Sequence, residues 1–176
     1  MQFFIDTVTN AVHAFEDNVV VKEADGVYSF AAPNGDILNV PATLQPYTPP
    51  APTSEELTAQ AQDKQIAALY AAYQQAVQQP VSYTSEGGAA KTYQADPDSV
   101  ANLTRMLLAF GATQAVPPGF YWVAADNAKV PFTYADLQGL AQAIGTQGEA
   151  AFQHLQALKD QVRAATSVAA VEAITW

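Results

Sequence analysis

Over residues 1–47 apolar and polar positions alternate in short runs, the period-two pattern of half-buried strands. Residues 2–6 and 11–15 flank the polar stretch 7–10 and predict a hairpin with a short loop. Asp25 and Gly26, set between 19–22 and 27–31, predict a second one, because this pair adopts the positive φ angles that a two-residue hairpin turn requires. Asn34 and Gly35 repeat the device ahead of 37–40. The expectation is an antiparallel meander of about five short strands, a sheet too small to bury a core without a neighbour.

The pattern then changes. From Pro46 to Pro52 four of seven residues are proline, which makes a stiff, extended connector. Thr53 and Glu56 stand at capping-box spacing, and neither Gly nor Pro interrupts 55–79 before Pro80. The helix this predicts, roughly 37 Å long at about 1.5 Å per residue, carries a narrow apolar stripe of Leu57, Ile66, Leu69, Tyr73 and Val77 among Ala and Gln. Such a stripe fits an ordinary surface helix and a helix that contacts another chain equally well.

Beyond Pro80, residues 81–85 and 90–94 flank Glu86, Gly87 and Gly88 as another hairpin. Asp96 caps a helix opened by Pro97 and closed at Gly111, with Val100, Leu103, Leu107 and Leu108 as its expected buried face. Pro117, Pro118 and Gly119 lead into strands at 120–124 and 129–132 around a turn at Asp126 and Asn127. Thr133 and Asp136 repeat the capping-box spacing, and a long helix follows through Leu137, Leu140 and Ile144 to Phe152, Leu155, Leu158 and Val162. Gly145 and Gly148, each costing about 1 kcal/mol in a helix interior, predict a kink or short break there. Thr166 or Ser167 caps a last short helix that delivers Ile174 and Trp176. The fold class is therefore α+β. A small antiparallel β domain occupies 1–47, a connector and long helix 48–80, and an α+β domain with hairpins and a long helix 81–176.

Composition narrows the function. A hydrophobic content of 49% is enough for a core, and 17 acidic against 7 basic side chains give a net charge of -10. The cations stand singly, so there is no patch to displace counterions from a phosphate backbone, and neither nucleic acid nor an anionic membrane is an expected partner. The absence of cysteine removes disulfides, thiolate metal sites and thiol catalysis. Asp6 stands where a signal peptide would carry a cation, and no apolar run approaches the ~20 residues of a membrane span, so the expectation is a soluble cytoplasmic protein.

Candidate chemistry is sparse. His13 falls on a strand and His154 on a helix, without the further ligands a zinc site needs. Gly87 and Gly88 lack the Lys and Ser/Thr of a phosphate cradle. Asp96 and Asp98 are explained by capping, and Glu16, Asp17, Glu23 and Asp25 lack the spacing of a calcium loop. No catalytic residue, metal or cofactor is expected. What remains is surface, and the aromatic residues expected to anchor a protein partner are Phe3, Phe15, Tyr28, Phe30, Tyr70, Tyr73 and Trp176. Trp122 is assigned to the core. Trp176 either docks onto its own domain or is received by a partner.

The runs YQADPDSVANLTRML, FYWVAADNAKVPFTYADLQGLAQAI and LKDQVRAATSVAAVEAITW, between Val81 and Trp176, resemble a domain of unknown function at the C-terminal end of tailed-bacteriophage tail-fibre assembly proteins. Trp122 ahead of the Asp126-Asn127 turn, the capped helix after 130–133, and Ala-Ala-Thr before the helix ending in Trp176 are the most specific pieces. The β module, Pro-rich connector and Ala/Gln helix are similar to the start of tail-fibre assembly chaperones in a more generic way.

The resemblance implies a non-enzymatic chaperone that binds the distal part of a trimeric tail fibre in the host cytoplasm during assembly. In some phages such proteins are retained in the virion tail. It carries no agreed catalytic residues, and it leaves homo-oligomerisation open. The alternative is a permanent structural tail component, such as a fibre-tip adhesin or a baseplate accessory protein. A tail-associated hydrolase is the remote one, since it requires a convergent carboxylate pair that the sequence does not display.

Overall fold

The computed structural model describes residues 1–176, which divide into two compact units, Met1–Pro52 and Thr53–Trp176. Helices and small antiparallel sheets are both present, and the fold class is α+β. No helix is long and apolar enough to cross a membrane.

In the first unit β1 (Gln2–Asp6) is the middle strand of a three-stranded sheet, flanked by β2 (Val12–Phe15) and β5 (Leu44–Pro46), each antiparallel to it. β3 (Val20–Ala24) and β4 (Val27–Ala31) form a separate hairpin, whose turn residues Asp25 and Gly26 have φ of 53° and 79° as their sequence predicts. The two sheets share one aromatic core. Phe30 lies edge-on to Phe4 at 4.7 Å and stacks on Phe15 at 4.3 Å, with Leu44 fully buried beside them.

A five-stranded meander is not formed. The segment 37–40 makes a single bridge, Ala31 to Ile37, and Ile37 is 83% exposed. Pro33 and Pro41 bracket that segment, and the free side of β1 is taken instead by β5, whose Pro46 has no N–H to offer and suits an outermost strand. Each small sheet thus serves as the other's neighbour.

Asp6, buried at the end of β1, stitches β5 in place. Its carboxylate accepts bonds from Thr43 Oγ1 at 2.5 Å, Thr9 Oγ1 at 2.6 Å and the Val8 N–H at 3.0 Å. These bonds, that of Thr43 foremost, hold the carboxyl down at about 2.

The second unit begins with α1 (Ser54–Ala76), opened by the Thr53/Glu56 capping box. The hairpin β6 (Val81–Thr84) and β7 (Ala90–Tyr93), the helix α2 (Pro97–Phe110) and the hairpin β8 (Tyr121–Val123) and β9 (Lys129–Pro131) follow. The unit closes with α3 (Tyr134–Ala164), capped by Thr133 and Asp136, and α4 (Val168–Glu172), capped by Ser167.

Two cores lie along α3. Leu137 and Leu140 from its first half meet Val81, Tyr93, Leu103, Val130 and Phe132. Leu155, Leu158 and Val162 from its second half meet Leu69 of α1 and Val171 of α4.

Three expectations change here. α1 is not part of a separate 48–80 segment: Leu69 is only 2% exposed because α3 and α4 cover it together with Ile66 and Tyr73, while Leu57 at the start of the stripe stays 44% exposed, so the boundary between units falls at Pro52 and Thr53. Leu108 is 78% exposed. The buried face of α2 is Leu103, Met106, Leu107 and Phe110, an i, i+3, i+4, i+7 arc that leaves Leu108 outside it. Finally, α3 runs unbroken through Gly145 and Gly148 for 31 residues. Gln147 Nε2 donates to the carbonyls of Ala76 and Gln79 beside these glycines, and packed cores on either side hold the helical path that the glycines alone would weaken.

Candidate functional site

Asp96, Asp126 and Asp136 are occupied by structure. Asp96 caps α2, accepting from the N–H groups of Asp98 and Ser99 and from Ser99 Oγ at 2.6 Å, and the Ser99 hydroxyl bond leads the group of contacts that depresses its pKa. Asp126 accepts from Lys91 Nζ at 2.6 Å and from the Ala128 N–H at 3.0 Å, and it too is held below the ordinary carboxylate range, chiefly by Lys91.

Asp136 is 1% exposed and has three donors of its own around it. The Glu86 N–H lies at 2.7 Å, the Thr133 N–H at 2.8 Å and Tyr83 OH at 3.2 Å, while the Thr133 hydroxyl, 3.1 Å away, lies closer to Glu86 Oε2 at 2.7 Å. Burial first, and the bond to Asp136 second, push the Tyr83 hydroxyl pKa up. A carboxylate enclosed in this way joins the β6–β7 turn to the start of α3. No three His, Asp or Glu side chains come together as a metal-binding group. His13 stacks against Phe15 at 6.5 Å.

The aromatic residues predicted as anchors fall into two sets. In the first unit Phe30 is 1% exposed and is a core residue, since its position on β4 faces the sheet that carries Phe4. Phe15 and Tyr28 are half-buried against the same core, and Phe3 points to the other face of β1, also half-buried. In the second unit Tyr70, Tyr73 and Trp176 do come together. Tyr73 lies 5.9 Å from Tyr70, 6.5 Å from Phe152 and 6.5 Å from Trp176, and the Trp176 ring meets His154 edge-on at 4.8 Å.

This ledge stays open on its outer side, with Tyr70 at 54%, Phe152 at 46% and Trp176 at 40% exposure. It is held in place from beneath: Gln65 Nε2 donates to the Ile174 carbonyl and Gln62 Nε2 to the carbonyls of Val162 and Ala165. Phe152 and His154 were not predicted as part of a surface. Their spacing on α3 is visible in the sequence, but their meeting with α1 is not.

A second concave surface lies between α2 and β8. Gln94, Ser99, Asn102 and Met106 form one wall, and residues 121–124 form the other, around 430 Å³ of open space. Trp122 reaches from β8 into the core, where it stacks on Phe132 at 6.4 Å, as assigned from the sequence.

Residues 60–175 match the model of a family described as a domain of unknown function, DUF4376. The chain belongs to the DUF4376 family. No curated protein and no solved structure matches it. The DUF4376 match starts inside α1, so most of that helix lies within the family's domain, in keeping with the burial of Leu69 against α3 and α4. The α2–β8 groove and, apart from Trp176, the aromatic ledge lie within the residues matched by DUF4376, whereas the 1–52 unit lies outside them.

Proposed function

We propose that this DUF4376 protein is a tail-fibre assembly chaperone that binds the distal part of a fibre trimer in the host cytoplasm. The observation that carries the reading is the set of open strand edges in the first unit: β2, β3 and β5 are each paired along one side only, while β1 is paired on both sides and β4 meets β3 on one side and the Ile37 bridge on the other. Intertwined β-rich trimers form slowly through non-local contacts and expose unpaired edges meanwhile. A small acidic unit with short edge strands, carrying six acids against one lysine in residues 1–52, is suited to pair such an edge by strand addition while staying soluble itself. The resemblance of Val81–Trp176 to tail-fibre-associated proteins supplies the identity of the partner.

Co-expression tests the reading. The full chain is produced with the C-terminal part of a trimeric tail-fibre protein, and detergent-resistant trimer is separated from monomer by electrophoresis without boiling. The expected outcome is more soluble trimer with the chain than without it, and loss of that gain when the edge of β2 is blocked by Ala14→Pro. Equal trimer yield with and without the chain would reject the chaperone reading. Mass spectrometry of purified particles then distinguishes a transient chaperone, absent from the virion, from a permanent tail component present in stoichiometric amount.

A further inference from the structure

The strand edges of residues 1–52 are not equivalent, and their hydrogen bonds rank them. β5 has nothing to donate: its outward positions are Leu44, whose N–H goes to the Pro41 carbonyl at 3.4 Å, and Pro46, which has no N–H. The outer side of β4 is taken by Leu38, which donates to the Phe30 carbonyl at 2.8 Å, and by the Ala31 to Ile37 bridge. Because Phe30 bonds outward, its opposite number Val21 also faces outward, together with Glu23. That β3 edge carries the charges of Lys22 and Glu23, and its entry is covered where Gln2 Nε2 donates to the Val19 carbonyl at 3.3 Å.

β2 is the edge left bare. The Asp6 N–H donates to the Ala11 carbonyl at 2.9 Å, so by alternation His13 and Phe15 bond to β1. The N–H and C=O of Val12 and Ala14 then point away from β1, and no other backbone group bonds to them. The strand holds no carboxylate, lysine, proline or bulge, the devices that blunt an exposed edge. Val12 and Ala14 are exposed, and their side chains continue the face of β1 that carries Ile5 and Phe3.

The charge beside this edge is negative. Glu16, the residue after β2, is exposed and enters no salt bridge. Asp17 is paired with the Met1 amino group, and Asp6 is buried with its bonds filled by Thr43, Thr9 and Val8. Lys22, the one cationic side chain of residues 1–52, lies on the other sheet beside Val20, Ser29 and Ile37. Six acids against that lysine set up a field that attracts a cationic strand.

We propose that the outer edge of β2 is where residues 1–52 take their partner: an extended segment that adds antiparallel, sets apolar side chains beside Val12 and Ala14, and points a lysine or arginine at Glu16. Backbone pairing supplies the grip, and Glu16 selects the charge. Counted from Glu16 back to Val12, the cation is residue one of the segment and the apolar side chains are residues three and five. The site rests on the chaperone reading for the identity of the partner protein.

The test uses the full chain labelled with nitrogen-15. The probe is a pool of acetylated pentapeptide amides with Lys at position one, Thr at two and four, and Val or Ile at three and five. The Val12 and Ala14 amide protons are expected to shift downfield saturably, with Val21 and Glu23 unmoved. With Glu at position one about fivefold more peptide is expected to be needed, and Glu16→Gln should cut that preference below about twofold. A pool N-methylated at positions three and five is expected to leave both amides unmoved. Ala14→Pro, which removes one outward donor and leaves the bonds to β1 intact, should weaken binding at least about fivefold at unchanged melting temperature. If that variant misfolds, the N-methylated pool on the unaltered chain decides. Silent Val12 and Ala14 amides at millimolar peptide, larger shifts at Val21 and Glu23, equal response to the N-methylated pool, or equal response to the Glu pool would each overturn the proposal. Binding at β2 with no gain in fibre trimer sustains the site and removes the chaperone reading, whereas a trimer gain that survives Ala14→Pro removes the site and leaves that reading standing.

Discussion

Gly139 is the residue whose side chain matters most by not existing. A Cβ there would stand 2.7 Å from Cε2 and 2.8 Å from Cζ of Tyr83, a ring fixed between Tyr93, Phe132 and Asp136. Gly139→Ala should therefore destabilise the second unit by about 1–3 kcal/mol, the usual range for overpacking. Gly145, also in α3, has open space around it, and Gly145→Ala should stabilise by up to about 1 kcal/mol through helix propensity. Calorimetry on the two variants checks the opposite signs.

Asp6 gives a residue-scale prediction in pH. Its carboxyl is held at about 2, below the ordinary value near 3.8, so the folded first unit binds the proton less readily than the unfolded chain. Its contribution to stability is complete above the unfolded value and is lost as pH falls from about 4 through about 2. Asp6→Asn should flatten the acid limb of a tryptophan-independent melting profile, followed by the NMR signals of Phe4 and Phe30. An unchanged acid limb would mean that Asp6 does not govern it.

Among elements, the caps and hairpins were legible because their chemistry is local. Thr53 with Glu56, Asp96 with Ser99, and Thr133 with Asp136 all engage within three residues, and Asp25-Gly26 sets its own turn. β5 was not legible, because Leu44–Pro46 reaches β1 across most of the unit and is tied there by Thr43 and Asp6. The double duty of Asp136 was half visible. Its capping role follows from spacing, but the bonds from Glu86 and Tyr83 depend on a hairpin some fifty positions earlier. Asp136→Ala should leave the Glu86 and Thr133 N–H groups without partners and cost about 1–3 kcal/mol for each that stays buried. The expected signature in hydrogen exchange is faster exchange at both the β6–β7 turn and the first turn of α3. Acceleration at α3 alone would reduce Asp136 to a cap.

For the molecule as a whole, the informative border is Pro52–Thr53. The prolines marked a connector in the sequence, but the allegiance of α1 could not be read from a stripe so narrow, since its partners Leu155, Val162 and Val171 lie far along the chain. A fragment of residues 53–176 should fold with cooperative melting. A fragment of 81–176 should not, because it strips Leu69, Ile66 and Tyr73 from the second core and uncovers Leu155 and Val162. Circular dichroism and gel filtration of both fragments make the comparison, and equal stability would detach α1 from the unit.

The unbroken α3 also has a metric consequence. At about 1.5 Å per residue its 31 residues form a beam roughly 46 Å long, with the core behind the α2–β8 groove along its first half and the aromatic ledge along its second. Two surfaces mounted on one beam keep a constant spacing. A partner that touches both must match that interval, and one that does so gains the second contact at high effective concentration, while a partner of the wrong span gains nothing. The helix is thus a ruler as well as a support.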